Sequence, residues 1–293
     1  MKTTIKMLRT IKEHIYDAVV FLYYAHDARK RNRKYVVMGN PMVGIGNRLI
    51  ALANTYSWYG KENITLVWAI DHWVPKPFET LFEMSDAPGF EVISHRRHRW
   101  SRYLQIPKIV EDHSRWWHLW APQGLCRSLP EKNLRCLYNQ TPQWAREVFS
   151  DFFAQLRPSP KVCERIESCI LPPNVVCVQI RNTKGMGDIA LVASLETFFS
   201  QMEKYERNQR FFVSCMSKEI SEQVHARFGE RVFELPNKDY GSMIDAVADM
   251  WLLGSSSELI CQFPSTFSEV AWWWHGGKSK VIAIPYEYRQ SGD

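Results

Sequence analysis

Between Val175 and Ile284, short runs rich in Val, Ile, Phe and Cys alternate with segments of helical spacing, and the apolar runs show no polar alternation. Strands of that kind are buried on both faces, so helices must cover both sides of a parallel sheet. The reading places strands at Val175–Ile180, Arg210–Cys215, Arg231–Glu234, Glu258–Cys261 and Lys280–Ile284. Helices are predicted at Ser194–Glu206, Ser217–Phe228, Ser242–Leu253 and Ser265–Trp274.

The N-terminal half opens in the same style. Tyr35–Met38 reads as a strand, a Gly-rich loop follows, Leu49–Tyr59 has helical spacing and Ile64–Ile70 is a second strand, a β-loop-α-β order typical of a parallel sheet. Pro and Trp punctuate Asp71–Pro142, which receives no assignment; a helix is predicted from Pro142 to Leu156. Arg157-Pro-Ser-Pro160 and Leu171-Pro-Pro-Asn174 bracket one short helix and mark a domain boundary. At 293 residues two domains are expected, with segments 1–34, 35–160 and 161–293 as helix plus basic cluster, first Rossmann-like domain and second Rossmann-like domain.

Composition bounds the function. Gly and Pro total 14 + 15 = 29, 45% of residues are hydrophobic and 23% charged, an ordinary globular chain. Seven cysteines, none in a C-x-x-C pair and several in apolar runs, read as reduced core residues of a reducing compartment. No small-residue cleavage site follows the first apolar stretch, and Val19–Ala25 is far too short to cross a bilayer. A cytoplasmic, membrane-apposed setting is the expectation.

Leu8, Ile11, Ile15, Val19 and Leu22 recur at spacings of three and four, predicting one amphipathic helix from about Ile5 to Ala28. It either packs on the domain or lies on an anionic membrane surface, aided by Arg29, Lys30, Arg31, Arg33 and Lys34. The net charge is 37 − 31 = +6, and a second cluster holds Arg96, Arg97, Arg99 and Arg102. Such clusters favour anionic partners, but no nucleic-acid-binding signature accompanies them, so nucleic acid is not expected.

Three motifs carry chemistry. In Gly44-Ile-Gly-Asn-Arg48, glycines after a strand let the backbone approach a diphosphate, although the spacing is not the dinucleotide G-x-G-x-x-G. In Val175-Val-Cys-Val-Gln-Ile-Arg181, an Arg ends a buried parallel strand and points to the crevice where such sheets bind ligands; an anion, phosphate above all, is its natural partner. Asp249 is followed by Phe263-Pro264-Ser265-Thr266-Phe-Ser-Glu269, a loop and helix N-cap suited to a phosphate on the same sheet edge.

Together these blocks resemble the fucosyltransferase superfamily of GT-B glycosyltransferases, which holds α1,6-fucosyltransferases and protein O-fucosyltransferases. Gly44-Ile-Gly-Asn-Arg48 looks like its G-x-G-N-R/Q, Gln179-Ile-Arg-Asn-Thr-Lys184 like its H-x-R-R-T/G-D/N, and Pro264-Ser-Thr-Phe-Ser-Glu269 like its Ser-rich loop, in the same order. The resemblance spans roughly Tyr35–Ile70 and Val175–Ile284. It implies an α/β GT-B fold, two Rossmann-like domains with parallel sheets facing a cleft, and an inverting, metal-independent transfer from a GDP-sugar, GDP-fucose first, to a glycan hydroxyl. No resident cofactor is implied.

By the same resemblance Arg181 binds the β-phosphate and assists its departure, Asp249 accepts from the guanine N1 and N2 groups, and Pro264, Ser265 and Thr266 hold phosphate. Gly44, Gly46, Asn47 and Arg48 face the donor from the other domain. The departures are Gln179 for the family's His, Asn182 for its second Arg and Lys184 for its acidic residue, with Lys184 able to restore charge only as a point cation.

A base for the acceptor hydroxyl must be a carboxylate or His in the cleft, and Asp188 and Asp71 are the positional candidates. Seven Trp lie between Trp58 and Trp120; Trp116, Trp117 and Trp120 are candidates to stack on acceptor sugar faces. Trp272–Trp274 are consecutive on a helix and so call for packing around it. His95, His98, His113 and His118 are interleaved with arginines, which disfavours a metal, and no D-x-D occurs. Two alternatives stand beside the fucosyltransferase reading: a GT-B enzyme using another nucleotide sugar, such as a xylose or rhamnose donor, and an inactive glycan-binding module.

Overall fold

The computed structural model describes residues 2–38, 44–59, 63–84, 89–96, 109–112, 143–181, 190–262, 265–285 and 287–289. They fall into two compact units, one within Met1–Thr80 and Met84–Pro122, the other within Leu81–Glu83 and Gln123–Asp293.

The first unit begins with α1 (Lys2–Lys30), β1 (Lys34–Met38), α2 (Ile45–Tyr59), β2 (Ile64–Ile70) and α3 (Phe78–Leu81); after β3 (Phe82–Met84), which falls in the second unit but for Met84, it continues with β4 (Phe90–Arg96) and β5 (Ile109–Asp112). Its sheet has the order β4-β2-β1-β5, every pair parallel. Counted along the chain this is 3-2-1-4, the Rossmann order, which reverses direction beside β1 and opens a ligand crevice at the strand ends there.

Alternation along the strands sends side chains to two layers. Tyr35, Val67 and Ala69 meet Phe21, Tyr24, Ala25 and Ala28 of α1. Tyr56 of α2 packs edge-on against Phe90, and Leu66 and Trp68 of β2 are fully buried. Helix α1 therefore covers the sheet with a face other than the one its spacing nominates. Leu8, Ile11, Ile15, Val19 and Leu22 stay exposed, because small Ala25 and Ala28 let the opposite face approach the strands. Half of the basic cluster serves the fold. Arg33 is buried and donates to Thr65 Oγ1 at 2.9 Å and to the carbonyls of Ile64 and Gly89, and Arg31 pairs with Asp27 and Glu91.

The second unit holds α4 (Gln143–Gln155), β6 (Leu156–Pro158), α5 (Pro160–Glu167), β7 (Val176–Ile180), β8 (Ala190–Val192), α6 (Leu195–Met202) and β9 (Phe211–Cys215). After these come α7 (Lys218–Phe228), β10 (Val232–Phe233), α8 (Met243–Gly254), β11 (Glu258–Gln262), α9 (Thr266–Trp274), β12 (Lys280–Ile284) and β13 (Glu287–Arg289). The five-stranded sheet runs β10-β9-β7-β11-β12, all parallel, which is 3-2-1-4-5 in chain order. β3 pairs with β6, and β8 pairs antiparallel with β13. The expected strands and helices from Val175 onward are all present, within two or three residues at most ends; the helix predicted over Ser194–Glu206 stops at Met202.

Val176, Val178, Ile180, Phe211 and Val213 face α6 and α7 through Phe198, Met202, Ile220 and Val224. Cys177 and Ser214 face α8, the thiol reaching the Leu252 carbonyl and the hydroxyl reaching Asp249. Helices thus cover both faces. Ser194, Ser217 and Ser242 cap α6, α7 and α8, each side chain accepting a first-turn N–H.

The three consecutive tryptophans of α9 are buried in different directions. Trp272 donates to the Ser279 carbonyl, Trp273 stacks on Phe149 of α4 at 5.2 Å, and Trp274 donates to the Leu156 carbonyl. Helix α4 is thereby fastened to the second unit. Cys163, Cys169, Cys177, Cys215 and Cys261 form no disulfide, and among the described residues no helix is long and apolar enough to cross a membrane.

Candidate functional site

In the second sheet the strand order reverses between β7 and β11, so a ligand crevice is expected outside the C-terminal ends of those two neighbours. Arg181 directly follows β7, and Ser265 is the N-cap of α9 after β11, with φ −131° and ψ 109°. The strand-to-helix order thus sets a guanidinium and the N-terminus of a nine-residue helix on adjoining strand ends, the arrangement that binds an anion. Among the described residues no carboxylate pairs with Arg181; burial alone pulls its guanidinium below the ordinary value. A half-buried cation without an anion is unfavourable, and an anionic ligand relieves that penalty.

Two residues inward on the same strand, Gln179 is buried and its Oε1 has no hydrogen-bond partner among the described residues. Gln179 lies in register with Ser214 of β9 on one side and Cys261 of β11 on the other. Ser214 donates to Asp249 Oδ2 at 2.7 Å, and Lys238 pairs with the same oxygen at 2.7 Å. Asp249 is 2% exposed. Burial pushes its carboxyl up to about 6, against the pull of Lys238 and Ser214. For Lys238 the balance is reversed: burial lowers it, but the Asp249 carboxylate outweighs this and holds the ammonium above its usual value.

Asp249 therefore offers a nucleobase less than the sequence implies. Oδ2 is committed to Lys238 and Ser214, while Oδ1 is buried without a partner among the described residues. Lys238 and Ser214 were not legible as site residues, because only the sheet register and the turn after β10 bring them to Asp249. Glu234 extends the network, accepting from Ser221 at 2.9 Å and Tyr240 at 2.8 Å. Thr266 opens α9, and Glu269, one turn in, is 4% exposed with its carboxyl pushed well above the usual value by burial.

In the first unit the expected Gly-rich loop is shorter than the sequence suggests. Helix α2 begins at Ile45, so Gly46, Asn47 and Arg48 are its first turn, preceded by exposed Gly44. Arg48, expected to face a donor, points inward instead. It is 1% exposed, pairs with Asp71 at 2.6 Å, donates to the Ala69 carbonyl and lies over the Trp68 ring. Asp71, a candidate base, is tied into the same structure. Its Oδ1 accepts from Arg48, from Trp73 N at 2.9 Å and from Val74 N at 3.2 Å, which shapes the turn after β2. The pair is a corner brace of the fold, and Asn47, with Oδ1 buried and without a partner among the described residues, is the group left at this helix start.

Asn182, Lys184, Asp188, Pro264, Trp116, Trp117 and Trp120 lie outside the described residues. Among those described, no group of three His, Cys, Asp or Glu is placed to hold a metal ion.

No protein-family model and no curated protein matches the sequence. Solved structures do. The fucosyltransferase NodZ from Bradyrhizobium superposes with TM-score 0.52 at 18% identity, covering 88% of this chain and 98% of that one. A NodZ α-1,6-fucosyltransferase soaked with GDP-fucose gives 0.50 at 17% identity, with 88% and 99% covered. POFUT1 in complex with GDP gives 0.51 at 13%, with 86% and 98% covered. With two Rossmann-ordered parallel sheets in sequence, the chain has the GT-B-type α/β fold of the fucosyltransferase structures.

Proposed function

We propose that the chain is a glycosyltransferase that moves a sugar, L-fucose first, from a GDP-sugar to a glycan hydroxyl, inverting the anomeric carbon without a metal. The observation that carries this reading is Arg181, a half-buried guanidinium without an acidic partner among the described residues, set at the switch point of a 3-2-1-4-5 sheet beside the N-terminus of α9. A departing nucleoside diphosphate develops negative charge, and fixed cations and helix dipoles aimed at it lower the barrier. Arg181 and the Ser265–Thr266 start of α9 supply that charge to the phosphates, and Asp249 Oδ1 accepts one nucleobase N–H. The names of the similar structures, one soaked with GDP-fucose and one bound to GDP, support this choice of donor.

The acceptor hydroxyl loses its proton to a carboxylate. With Asp71 Oδ1 held by Arg48 and two backbone N–H groups, Asp188 becomes the leading candidate for that role. Release of GDP from GDP-fucose in EDTA tests the chemistry. Wild type is expected to release GDP, and Arg181→Ala to do so 10² to 10³-fold more slowly, roughly the loss seen when one charge-stabilising donor is removed. Equal rates in the two proteins contradict the reading.

A further inference from the structure

Helix α1 spans 29 residues, about 43 Å at 1.5 Å per residue, yet its described contacts with the sheet begin only at its middle, where Tyr16 stacks on His95. Phe21, Tyr24, Ala25 and Ala28 are buried, whereas before Ala18 every described side chain, Met7, Leu8, Ile11, Lys12, Ile15 and Tyr16, is exposed. Leu8, Ile11, Ile15, Val19 and Leu22 are 61%, 44%, 61%, 60% and 66% exposed. At 100° per residue they form one stripe about 80° wide, turned away from the buried face.

The charges around this stripe decide what fits it. Lys12, Arg29 and Lys30 border it and are exposed, while Asp27 lies on another part of the helix circumference. Asp27 is moreover engaged by Arg31 and Tyr35. Among the described side chains the charges that edge this stripe are cations, which complements an anionic lipid surface, where the apolar side enters the acyl boundary and the cations meet head groups. A second copy fits less well, because paired stripes would bring cations together with no acid among the described flanking side chains.

We propose that the outward face of α1 is a docking surface for anionic lipid, holding the enzyme on a membrane without crossing it. The proposal is independent of the nucleotide site, so either can fail alone.

Co-sedimentation of the full chain with vesicles of phosphatidylcholine, with and without phosphatidylglycerol, tests it. Binding is expected to the anionic vesicles alone, weakening as salt is raised. Ile11→Ser/Ile15→Ser/Leu22→Ser is expected to reduce it about a hundredfold and Lys12→Gln/Lys30→Gln about fivefold per cation removed. Both variants should melt like wild type, since these side chains are exposed. Absence of binding to anionic vesicles at low salt overturns the proposal, as does binding that the folded variants retain. A stable lipid-free dimer that the serine variant dissociates also overturns it, assigning the stripe to a second copy.

Discussion

Arg181 ends the central strand of its sheet, and its identity matters as much as its charge. Lysine at that position keeps the cation but loses the fork that holds two phosphate oxygens at once. Arg181→Lys is therefore expected to weaken GDP binding about tenfold, measured by calorimetry, with the melting temperature unchanged. Asp249 adds a pH dependence. Its carboxyl titrates at about 6, and the protonated form loses its strength as an acceptor for a nucleobase N–H. GDP affinity should fall about tenfold per unit as pH drops below 6, and Asp249→Asn should abolish that slope. Glu269 predicts the opposite trend in stability. Because burial raises its carboxyl, the native state keeps a proton that the unfolded chain releases above about 4.3, so stability is lost as pH rises through that window. Glu269→Gln should melt higher than wild type at pH 8, with the gap closing near pH 4. The places of Arg181 after a buried strand and of Asp249 on a helix were readable from sequence, because apolar spacing fixes both elements. The partners of Asp249 were not, since Lys238 reaches it from a turn whose sequence names no contact.

At the scale of elements, periodicity located the buried strands of the second unit well and misassigned the packing of α1. The stripe Leu8–Leu22 has the better apolar spacing, but Phe21, Tyr24, Ala25 and Ala28 make the contact with β1 and β2. Sequence pattern reports where apolar surface lies on a helix; it does not say which of two such surfaces meets the sheet. β4 and β5 escaped the reading for a different reason. Phe90–Arg96 carries Glu91, Ser94 and His95 among its apolar residues, and Ile109–Asp112 is short and ends in two acids, so neither resembles a strand buried on both faces. A packing prediction belongs here too. Gly254 closes α8 where it meets α9, and a Cβ there would collide with the Ala271 carbonyl and press on the His275 ring. Gly254→Ala should destabilise the protein by about 1 to 3 kcal/mol in urea melts, an overpacking penalty between helices. An unchanged midpoint would show that α8 and α9 can separate freely.

The whole chain builds the same strand order twice, 3-2-1-4 in the first unit and 3-2-1-4-5 in the second, and each reversal opens a crevice at the C-terminal strand ends. The two crevices are furnished differently. In the first, the conspicuous Arg48 is spent on Asp71 and the Ala69 carbonyl, so its charge stabilises the corner after β2. In the second, the guanidinium has no acidic partner among the described residues, and a helix N-terminus stands beside it. The central claim is that this second crevice holds the diphosphate of a GDP-sugar. Calorimetric titration of the intact protein with GDP and UDP in EDTA, alongside Arg181→Ala, tests it most directly. The account predicts micromolar GDP binding, weaker UDP binding, and loss of GDP binding in the folded Arg181→Ala protein. Absence of nucleotide binding in wild type, or GDP binding undiminished in the variant, would contradict it.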